Sequence, residues 1–176
     1  MPGIDQGIDA LNEKVGRTAA LLAIPLIAVI GYEVVMRYVF NAPTLWAFEM
    51  TTFIYGVHFV LGAAYTLKHE GHVAVDVFEA RLPRPWRLRL RILSYLVLFL
   101  PTTLVLAVGA TLYARDSWAN WERNSTSWAP ALYPYKTLMA LGFTLLLLQG
   151  VSTLIKDLRQ ALGARPAGGA PTGDAP

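Results

Sequence analysis

The sequence contains no cysteine, and it contains few charged residues for its length of 176 residues. Without cysteine there is no disulfide framework, no thiolate metal site, no thiol nucleophile and no quinone-linked disulfide chemistry. Aspartate, glutamate, lysine and arginine make up only 15% of the chain, and they cluster between apolar runs. A soluble domain of this size would intersperse charged and apolar residues much more finely. The composition therefore indicates a membrane protein without thiol chemistry.

Histidine is also scarce, and the three histidines do not form the pattern of a haem site. His58 lies near the middle of an apolar run, whereas His69 and His72 lie in a connection between runs. Ligation of a b-type haem by two histidines requires both at a similar depth in the membrane, which argues against a haem subunit. No basic stripe carries interleaved aromatic residues, so the net charge of +3 does not indicate nucleic-acid binding.

Four long apolar runs dominate the sequence, over residues 18–39, 46–67, 92–113 and 132–155. An α-helix needs about 20 apolar residues to cross the hydrocarbon core of a bilayer. The predicted fold is therefore an all-α integral membrane bundle of four transmembrane helices, within a membrane domain of residues 1–162. Residues 163–176 are rich in glycine, alanine and proline, and they are predicted to form a disordered tail.

The basic residues are distributed asymmetrically over the segments between these runs. Eleven of the 15 lysines and arginines lie before the first run, between the second and third runs, or after the fourth run. The positive-inside rule places these segments in the cytoplasm. We therefore expect both termini in the cytoplasm and the connections 40–45 and 114–131 on the outer side. The first run is too long for the apolar core of a cleaved signal peptide.

The residues before the first run predict a short amphipathic helix at the cytoplasmic surface of the membrane. Acidic and amide side chains lie between apolar residues that recur at the period of an α-helix. The apolar residues are Ile4, Ile8, Leu11 and Val15. Acidic side chains are not attracted to anionic lipid. Packing of this helix on a protein neighbour is therefore as consistent with the sequence as lying on the lipid surface.

A second short amphipathic helix is predicted in the connection between the second and third runs, after Gly71 and before Pro83. His72 and Asp76 in this segment are four residues apart. Two ligands make a poor metal site, so helix capping or local pairing is the simpler interpretation. The arginines that follow are predicted to contact lipid phosphate groups: Arg84, Arg87, Arg89 and Arg91.

Charged residues near the outer ends of the first two runs are candidates for a functional or structural role. Glu33 and Arg37 are spaced i, i+4 in the favourable order. Because the turn after them is short, Arg37 could pair with Glu33 or with Glu49 of the second run. An ion relay is one interpretation, and a structural clamp or a contact with a partner helix is the favoured one. His58 is likewise favoured as a hydrogen-bonded packing residue over a proton carrier.

Small residues and one proline predict how the helices pack. The second run contains the small cluster Gly56, Gly62, Ala63 and Ala64, which allows close approach of another helix. The fourth run carries Gly142 and Gly150, eight residues apart and so near one face. Pro101 removes a backbone hydrogen bond within the third run and predicts a bend there.

The order and spacing of several short motifs resemble the small membrane subunit of tripartite ATP-independent periplasmic (TRAP) transporters. The motifs are Arg37-Tyr-Val-Phe-Asn41, Trp46, Glu49, Gly62-Ala-Ala64 and Gly71-His72-Val73-x-Val75-Asp76. The likeness extends over about residues 17–160, and Asn124-Ser125 through Tyr133-Pro134 is similar to family members associated with organic acids. Phe48 departs from the family pattern, because many members have a second acidic residue at this position.

The resemblance implies a sodium-coupled symport system of the bacterial inner membrane that takes up an organic acid or a related anion. In such a system a soluble periplasmic protein captures the solute, and a large multi-span subunit carries it across the membrane. The small subunit is expected to be a scaffold for the large subunit, without enzymatic activity and without cofactors. The residues implied as structural or partner contacts are Arg37, Asn41, Trp46, Glu49, Gly62, His72 and Asp76.

The long outer connection suggests a second task, because it combines tryptophans with charged residues. Aromatic and arginine side chains are favoured at protein interfaces, so this connection is predicted to dock the periplasmic binding protein. An interfacial aromatic belt is an equally consistent interpretation. The residues concerned are Trp118, Trp121, Arg123 and Trp128.

Two functions from other classes compete with this interpretation. A membrane enzyme or cofactor subunit is disfavoured, because the sequence lacks a histidine pair and a nucleophile–base arrangement. The second competitor is a self-sufficient small exporter that assembles as a homo-oligomer around Glu33 or Glu49. Such exporters use a carboxylate deep within a span, whereas both glutamates lie near the outer ends of their runs.

Overall fold

The computed structural model describes residues 4–69 and 84–163, and this part of the chain is helical apart from its connections. Four helical stretches within it are long and apolar enough to cross a membrane: Asp5–Tyr38, Ala47–Lys68, Leu88–Ala119 and Tyr133–Gly163. The prediction of an all-α bundle with four membrane-spanning helices is confirmed. The surface helix predicted after Gly71 and the predicted tail, apart from Gly163, lie outside the described residues.

Six α-helices and one π-helical turn make up these stretches. The helices are α1 (Ile4–Ala20), α2 (Ala23–Tyr38), α3 (Ala47–Lys68), α4 (Arg84–Ser94), α5 (Leu100–Ala119) and α6 (Tyr133–Gly163). The π-helical turn, Tyr95–Phe99, joins α4 to α5. We call the end of the bundle that carries the connections 39–46 and 120–132 the outer end, following the predicted topology.

The first span is divided into two helices. α1 ends at Ala20, α2 begins at Ala23, and Leu21 and Leu22 form a turn between them. Pro25 explains this division, because it has no backbone N–H to donate to the carbonyl of Leu21, four residues earlier. A division at this point was not predicted from the apolar run over residues 18–39.

The third span departs from α-helical geometry just before Pro101. This proline cannot donate a hydrogen bond to the carbonyl of Val97. The N–H of Leu100 bonds instead to the carbonyl of Tyr95, five residues earlier, and Tyr95–Phe99 forms a π-helical turn. Such turns occur where the regular hydrogen-bond ladder of a helix is interrupted. The interruption at Pro101 is thus visible as a π-helical turn on its N-terminal side, and the bend itself stays a prediction.

The last helix, α6, is the centre of the bundle, and it contacts α1, α3 and α5. Its two glycines lie at contacts with different neighbours, Gly142 against Val60 of α3 and Gly150 against the ring of Phe99. A Cβ atom added at Gly142 would lie 2.3 Å from a side-chain atom of Val60 and 3.1 Å from its backbone. Both glycines therefore allow close contacts, but with different neighbours. Gly62, in contrast, faces open space.

The bundle has small or polar residues inside and large apolar residues outside. Its buried apolar residues are mostly alanines, and the large side chains of Ile27, Val105 and Leu98 are between 67% and 70% exposed. α2 has no buried residue along its length. This distribution suits a protein surrounded by lipid and other membrane helices, since apolar side chains there need no burial within the chain.

The predicted helix before the first apolar run is present as α1, and its polar side faces the protein. Asp5 and Asn12 are buried, whereas Leu11 is 47% exposed. α1 packs on α3 and α6 of the same chain, and Gly16 lies against the side chain of Tyr65. Of the two environments considered for this helix, the structure shows the protein neighbour, and that neighbour belongs to the chain itself.

Candidate docking and assembly surfaces

The turn between α2 and α3 is built around the carboxylate of Glu33. Arg37 donates to Glu33 through Nε at 3.0 Å and Nη2 at 2.5 Å. The other carboxylate oxygen accepts from the backbone N–H of Thr44 at 3.2 Å and from its hydroxyl group. Asn41 has a φ of 51° in this turn, a left-handed conformation that asparagine tolerates better than most residues. The Arg37–Glu33 pair and Asn41 thus fix the hairpin, which is the predicted clamp.

Two further residues implied by the resemblance lie beside this turn. The Trp46 ring stacks on the Tyr32 ring, with centroids 5.8 Å apart, and so joins the start of α3 to α2. Glu49, the third residue of α3, is 7% exposed and does not take part in the Arg37 pair. The structure therefore resolves the two pairing options for Arg37 in favour of Glu33.

The connection between α5 and α6 is an ordered hairpin. Arg123 and Ala131 form a short antiparallel bridge. The N–H of Asn124 donates to the carbonyl of Pro130 at 2.9 Å, and the N–H of Leu132 donates to the carbonyl of Glu122 at 3.0 Å. These backbone bonds hold the segment 122–132, which we call the outer hairpin, in one conformation.

A buried lysine anchors the outer hairpin to the bundle. Lys136, in the first turn of α6, is 5% exposed, forms an ion pair with Glu122, and lies 3.5 Å from the centroid of the Tyr113 ring. The hydrogen bond from Lys136 holds the pKa of the Glu122 carboxyl below its usual value. A lowered carboxyl pKa means that the pair is lost only at acidic pH, so the anchor is intact at neutral pH.

Two of the predicted docking tryptophans form one aromatic cluster at the base of the outer hairpin. The rings of Trp118 and Trp121 lie 4.4 Å and 5.4 Å from the ring of Tyr133. Trp118 also donates its indole N–H to Thr137 at 2.9 Å. Trp121 nevertheless remains 66% exposed, and its φ of 47° shows that the backbone turns sharply there. The cluster therefore presents a rigid aromatic surface.

The other two predicted docking residues lie on the outer hairpin itself. Arg123 is exposed, and its guanidinium approaches the carbonyl of Ala129 at 3.5 Å. Trp128 is 38% exposed and lies near the tip of the hairpin. Trp121, Arg123 and Trp128 thus lie on one hydrogen-bonded connection, and Trp118 lies beside it in the last turn of α5.

A polar network joins α1 to α6 at the opposite end of the bundle. Asn12 donates to Gln149 at 2.7 Å, and Gln149 donates to Asp9 at 3.0 Å. Ser152 also donates to Asp9 at 2.9 Å, and Lys156 forms an ion pair with the same carboxylate. Asn12, Gln149 and Ser152 are almost completely buried. The sequence signal for this network was the polar residue Gln149 within an apolar span, and it was overlooked.

Ion pairs extend this network on both sides. Arg159 of α6 bonds to Asp5 at 3.0 Å, and Lys68 of α3 bonds to Glu13 at 2.6 Å. His69 also contacts Glu13, at 2.9 Å. The acidic residues of α1 therefore bond to cations of α3 and α6, which explains why the polar side of this helix faces inward.

Replacing Gln149 with leucine is expected to lower the free energy of unfolding by about 1–3 kcal/mol, because Asn12 and Asp9 each lose a buried partner. Replacing Asn12 with leucine as well should recover part of this loss, since fewer polar groups are then left without partners. Thermal unfolding of the purified chain in detergent measures both effects. A double variant less stable than the single Gln149→Leu variant would contradict the proposed network energetics.

His58 supports the division between α1 and α2. Its Nδ1 atom lies 2.8 Å from the carbonyl oxygen of Ala19, near the end of α1. Since a carbonyl can only accept, Nδ1 carries the proton in this contact. His58 is thus a hydrogen-bonded packing residue, the interpretation that the sequence favoured. Within residues 4–69 and 84–163, no group of three or more histidine and acidic side chains could hold a metal ion.

The arginines of α4 have varied surroundings. Arg91 bonds to Asp157 of α6 at 2.9 Å, and the guanidinium of Arg89 lies 5.7 Å from the centre of the Trp86 ring. Arg84 and Arg87 belong to α4, but the structure does not describe their side chains. His72 and Asp76 lie outside the described residues. A role of these arginines at lipid headgroups stays a prediction.

Comparison with known proteins places this bundle beside transporter subunits. A model of the family described as "Tripartite ATP-independent periplasmic transporters, DctQ component" matches residues 26–160. The sialic acid TRAP transporter small permease protein SiaQ of Vibrio cholerae is 26% identical over 106 residues, 58% of this chain and 58% of SiaQ. The C4-dicarboxylate TRAP transporter small permease protein DctQ of Vibrio cholerae is 33% identical over 81 residues. That alignment covers 46% of this chain and 34% of DctQ.

Proposed function

We propose that this chain, which belongs to the DctQ component family of tripartite ATP-independent periplasmic transporters, is the scaffold subunit of a sodium-coupled uptake system. It is a small permease subunit, a transporter component and not an enzyme. Its partners would be a large membrane subunit that moves the solute and a periplasmic protein that binds the solute. Both ends of the chain and the Arg-rich connection would face the cytoplasm.

The observation that carries the scaffold role is the way charged groups inside the bundle pair with one another. The acidic residues of α1 bond to cations of α3 and α6, and Lys136 bonds to Glu122. A helix bundle whose helices are joined by these ion pairs is suited to remain stationary while a neighbouring subunit moves. The apolar surface of α2 is available for that neighbour or for lipid, and that of α5 for lipid.

The rival exporter is less well supported by the positions of the two glutamates. Glu33 is engaged by Arg37 and Thr44, and Glu49 is the third residue of its helix. An exporter that works alone requires a carboxylate that is free to bind protons or cations deep within a span. Neither glutamate has that position in the bundle.

We further propose that the solute is an organic acid anion. The two relatives are named for sialic acid and for C4-dicarboxylates, which are both carboxylate-bearing solutes. The outer hairpin would dock the periplasmic protein that delivers the solute, through the exposed Trp121 and Arg123 and the neighbouring Trp118 and Trp128. Its backbone bonds and its anchor to Lys136 favour docking, because a surface that is already ordered loses little conformational entropy on binding.

The test is reconstitution of the transporter with and without this chain. We expect a tagged chain to purify with the large subunit in a one-to-one complex. Sodium-driven uptake of labelled sialic acid or succinate into proteoliposomes, with the binding protein present, is expected to require the chain. The large subunit reconstituted alone is the matched control. Equal uptake without the chain, or purification of the chain as a homo-oligomer that transports alone, would overturn the proposal.

A further inference from the structure

Glu49 is a buried carboxylate without a complete set of partners. It is 7% exposed, and its Oε2 atom accepts no hydrogen bond from the described part of the chain. The neighbouring acidic residue Glu33 differs, because Arg37 and Thr44 satisfy both of its oxygens. The position of Glu49 in the first turn of α3 is favourable for a negative charge, but the effect of a helix dipole is small beside the cost of burying an unpaired carboxylate.

An apolar groove lies close to Glu49. It has a volume of about 300 Å³ and is lined by the turn between α1 and α2, by α3, and by α6 with the residues just before it. Its walls include Leu22, Phe53, Ile54, Val57, Tyr135 and Leu138. Glu49 precedes Phe53 by four residues, so it lies one helical turn beyond the groove on the same side of α3.

The helix that follows the Leu21–Leu22 turn, α2, packs less tightly than the rest of the bundle. α2 contacts α3 and has no buried residue, and the turn at Leu21 and Leu22 separates it from the tightly packed α1. This side of the bundle therefore has an unfilled apolar surface with a buried negative charge at one end.

We propose that the groove receives a transmembrane helix of the large subunit, and that an arginine or lysine of that helix pairs with Glu49. The proposal rests on the function proposed above. A helix with large apolar side chains would fill the groove, and a cation near its outer end would supply the missing partner of the carboxylate. Arginine suits this position best, because its planar guanidinium can donate two parallel bonds to a carboxylate. A lipid acyl chain would fill the groove without neutralising Glu49.

The natural absence of cysteine makes the groove directly testable. Val57→Cys places a thiol in the groove, and Val105→Cys places one on the exposed side of α5 as a matched control. We expect a membrane-permeant maleimide to label Val57→Cys at least about tenfold more slowly in the co-purified complex than in the isolated chain. Labelling of Val105→Cys should be the same in both. Equal labelling rates for Val57→Cys would overturn the proposal.

The charge is tested separately by Glu49→Lys. This variant is expected to reduce co-purification of the large subunit at least about tenfold. The introduced lysine would lie opposite the arginine or lysine of the large subunit, and the two positive charges would repel each other. Phe48→Lys is the control, since Phe48 is 77% exposed at the same level of the helix and receives the same lysine side chain. Each variant is first shown to be monodisperse without the large subunit. Equal recovery of the complex with Glu49→Lys and Phe48→Lys would contradict the pairing.

Three outcomes separate this proposal from its alternatives. If Val57→Cys is already protected in phosphatidylethanolamine liposomes that lack the large subunit, the occupant is lipid and the proposal is wrong. If the native chain forms a complex that transports, but the groove stays accessible and Glu49→Lys is tolerated, the inference fails and the proposed function stands. If the native chain forms no complex, the proposed function itself fails.

Discussion

Replacing Gly142 with leucine is expected to weaken the packing of α3 against α6 and to lower the unfolding temperature of the chain. Even a single Cβ atom at this position would lie 3.1 Å from the backbone of Val60, which cannot rotate away as the end of a side chain can. Overpacking of a tight contact typically costs about 1–3 kcal/mol, and contact with a backbone is among the costlier cases. For a chain of this size we expect the unfolding temperature to fall by about 5–10 °C.

Gly109→Leu is the matched control for this substitution. Gly109 also lies within a membrane-spanning helix, α5, but no atom lies within 4 Å of the position that its Cβ would occupy. The same change in side-chain volume and helix propensity is therefore made without a clash. Fluorescence-detected size-exclusion chromatography after heating compares the two variants. If both have the same unfolding temperature, close approach of α3 and α6 at Gly142 does not stabilise the bundle.

Replacing Trp121 and Arg123 together with alanine is expected to lower uptake at least about tenfold when the binding protein is limiting. These side chains are exposed on an ordered connection, and tryptophan and arginine are over-represented among the residues that dominate binding energy at interfaces. The loss should shrink at saturating concentrations of binding protein, because the substitutions weaken docking and leave the transport step unchanged. Sodium-driven uptake in proteoliposomes, titrated with binding protein, measures both regimes.

The control for this pair is the double substitution of Trp86 and Arg89 with alanine. Trp86 is 56% exposed and Arg89 lies over its ring, so the chain offers a second tryptophan–arginine pair at the opposite end of the bundle. An interfacial aromatic belt predicts similar effects of the two double substitutions on stability and uptake. A docking surface predicts a loss specific to Trp121 and Arg123. Uptake that is unchanged at every concentration of binding protein would contradict docking.

The parts of this fold that depend on local sequence were predictable. Hydropathy alone located four spans, since the length of an apolar run needed to cross a bilayer is set by the helix rise. The Glu33–Arg37 pair followed from i, i+4 spacing, and Gly142 from the need of close helices for small residues. The effect of Pro25 was also local, but it was hidden within a continuous apolar run.

The parts that depend on contacts between distant residues were not predictable. Lys136 was counted as an outer charge, and nothing in its neighbours in sequence indicates that it would be buried against Glu122 and Tyr113. The inward polar side of α1 was missed for the same reason, because its partners lie in α3 and α6. The apolar residues of α1 do recur with helical periodicity. In a membrane, however, the apolar side of a helix can face lipid, so this periodicity does not show which side packs against protein.

The polar network has a consequence for the order in which the chain assembles. Asn12 and its partner Gln149 are 137 residues apart, so the ribosome makes α1 long before the helix that satisfies its buried groups. Until α6 enters the bilayer, Glu13 of α1 can already pair with Lys68 of α3, but Asn12 and Asp9 lack the partners that α6 supplies. Although α1 is made first, its contacts with α6 can form only after the last helix has been synthesised. The final position of α1 is therefore reached late in assembly.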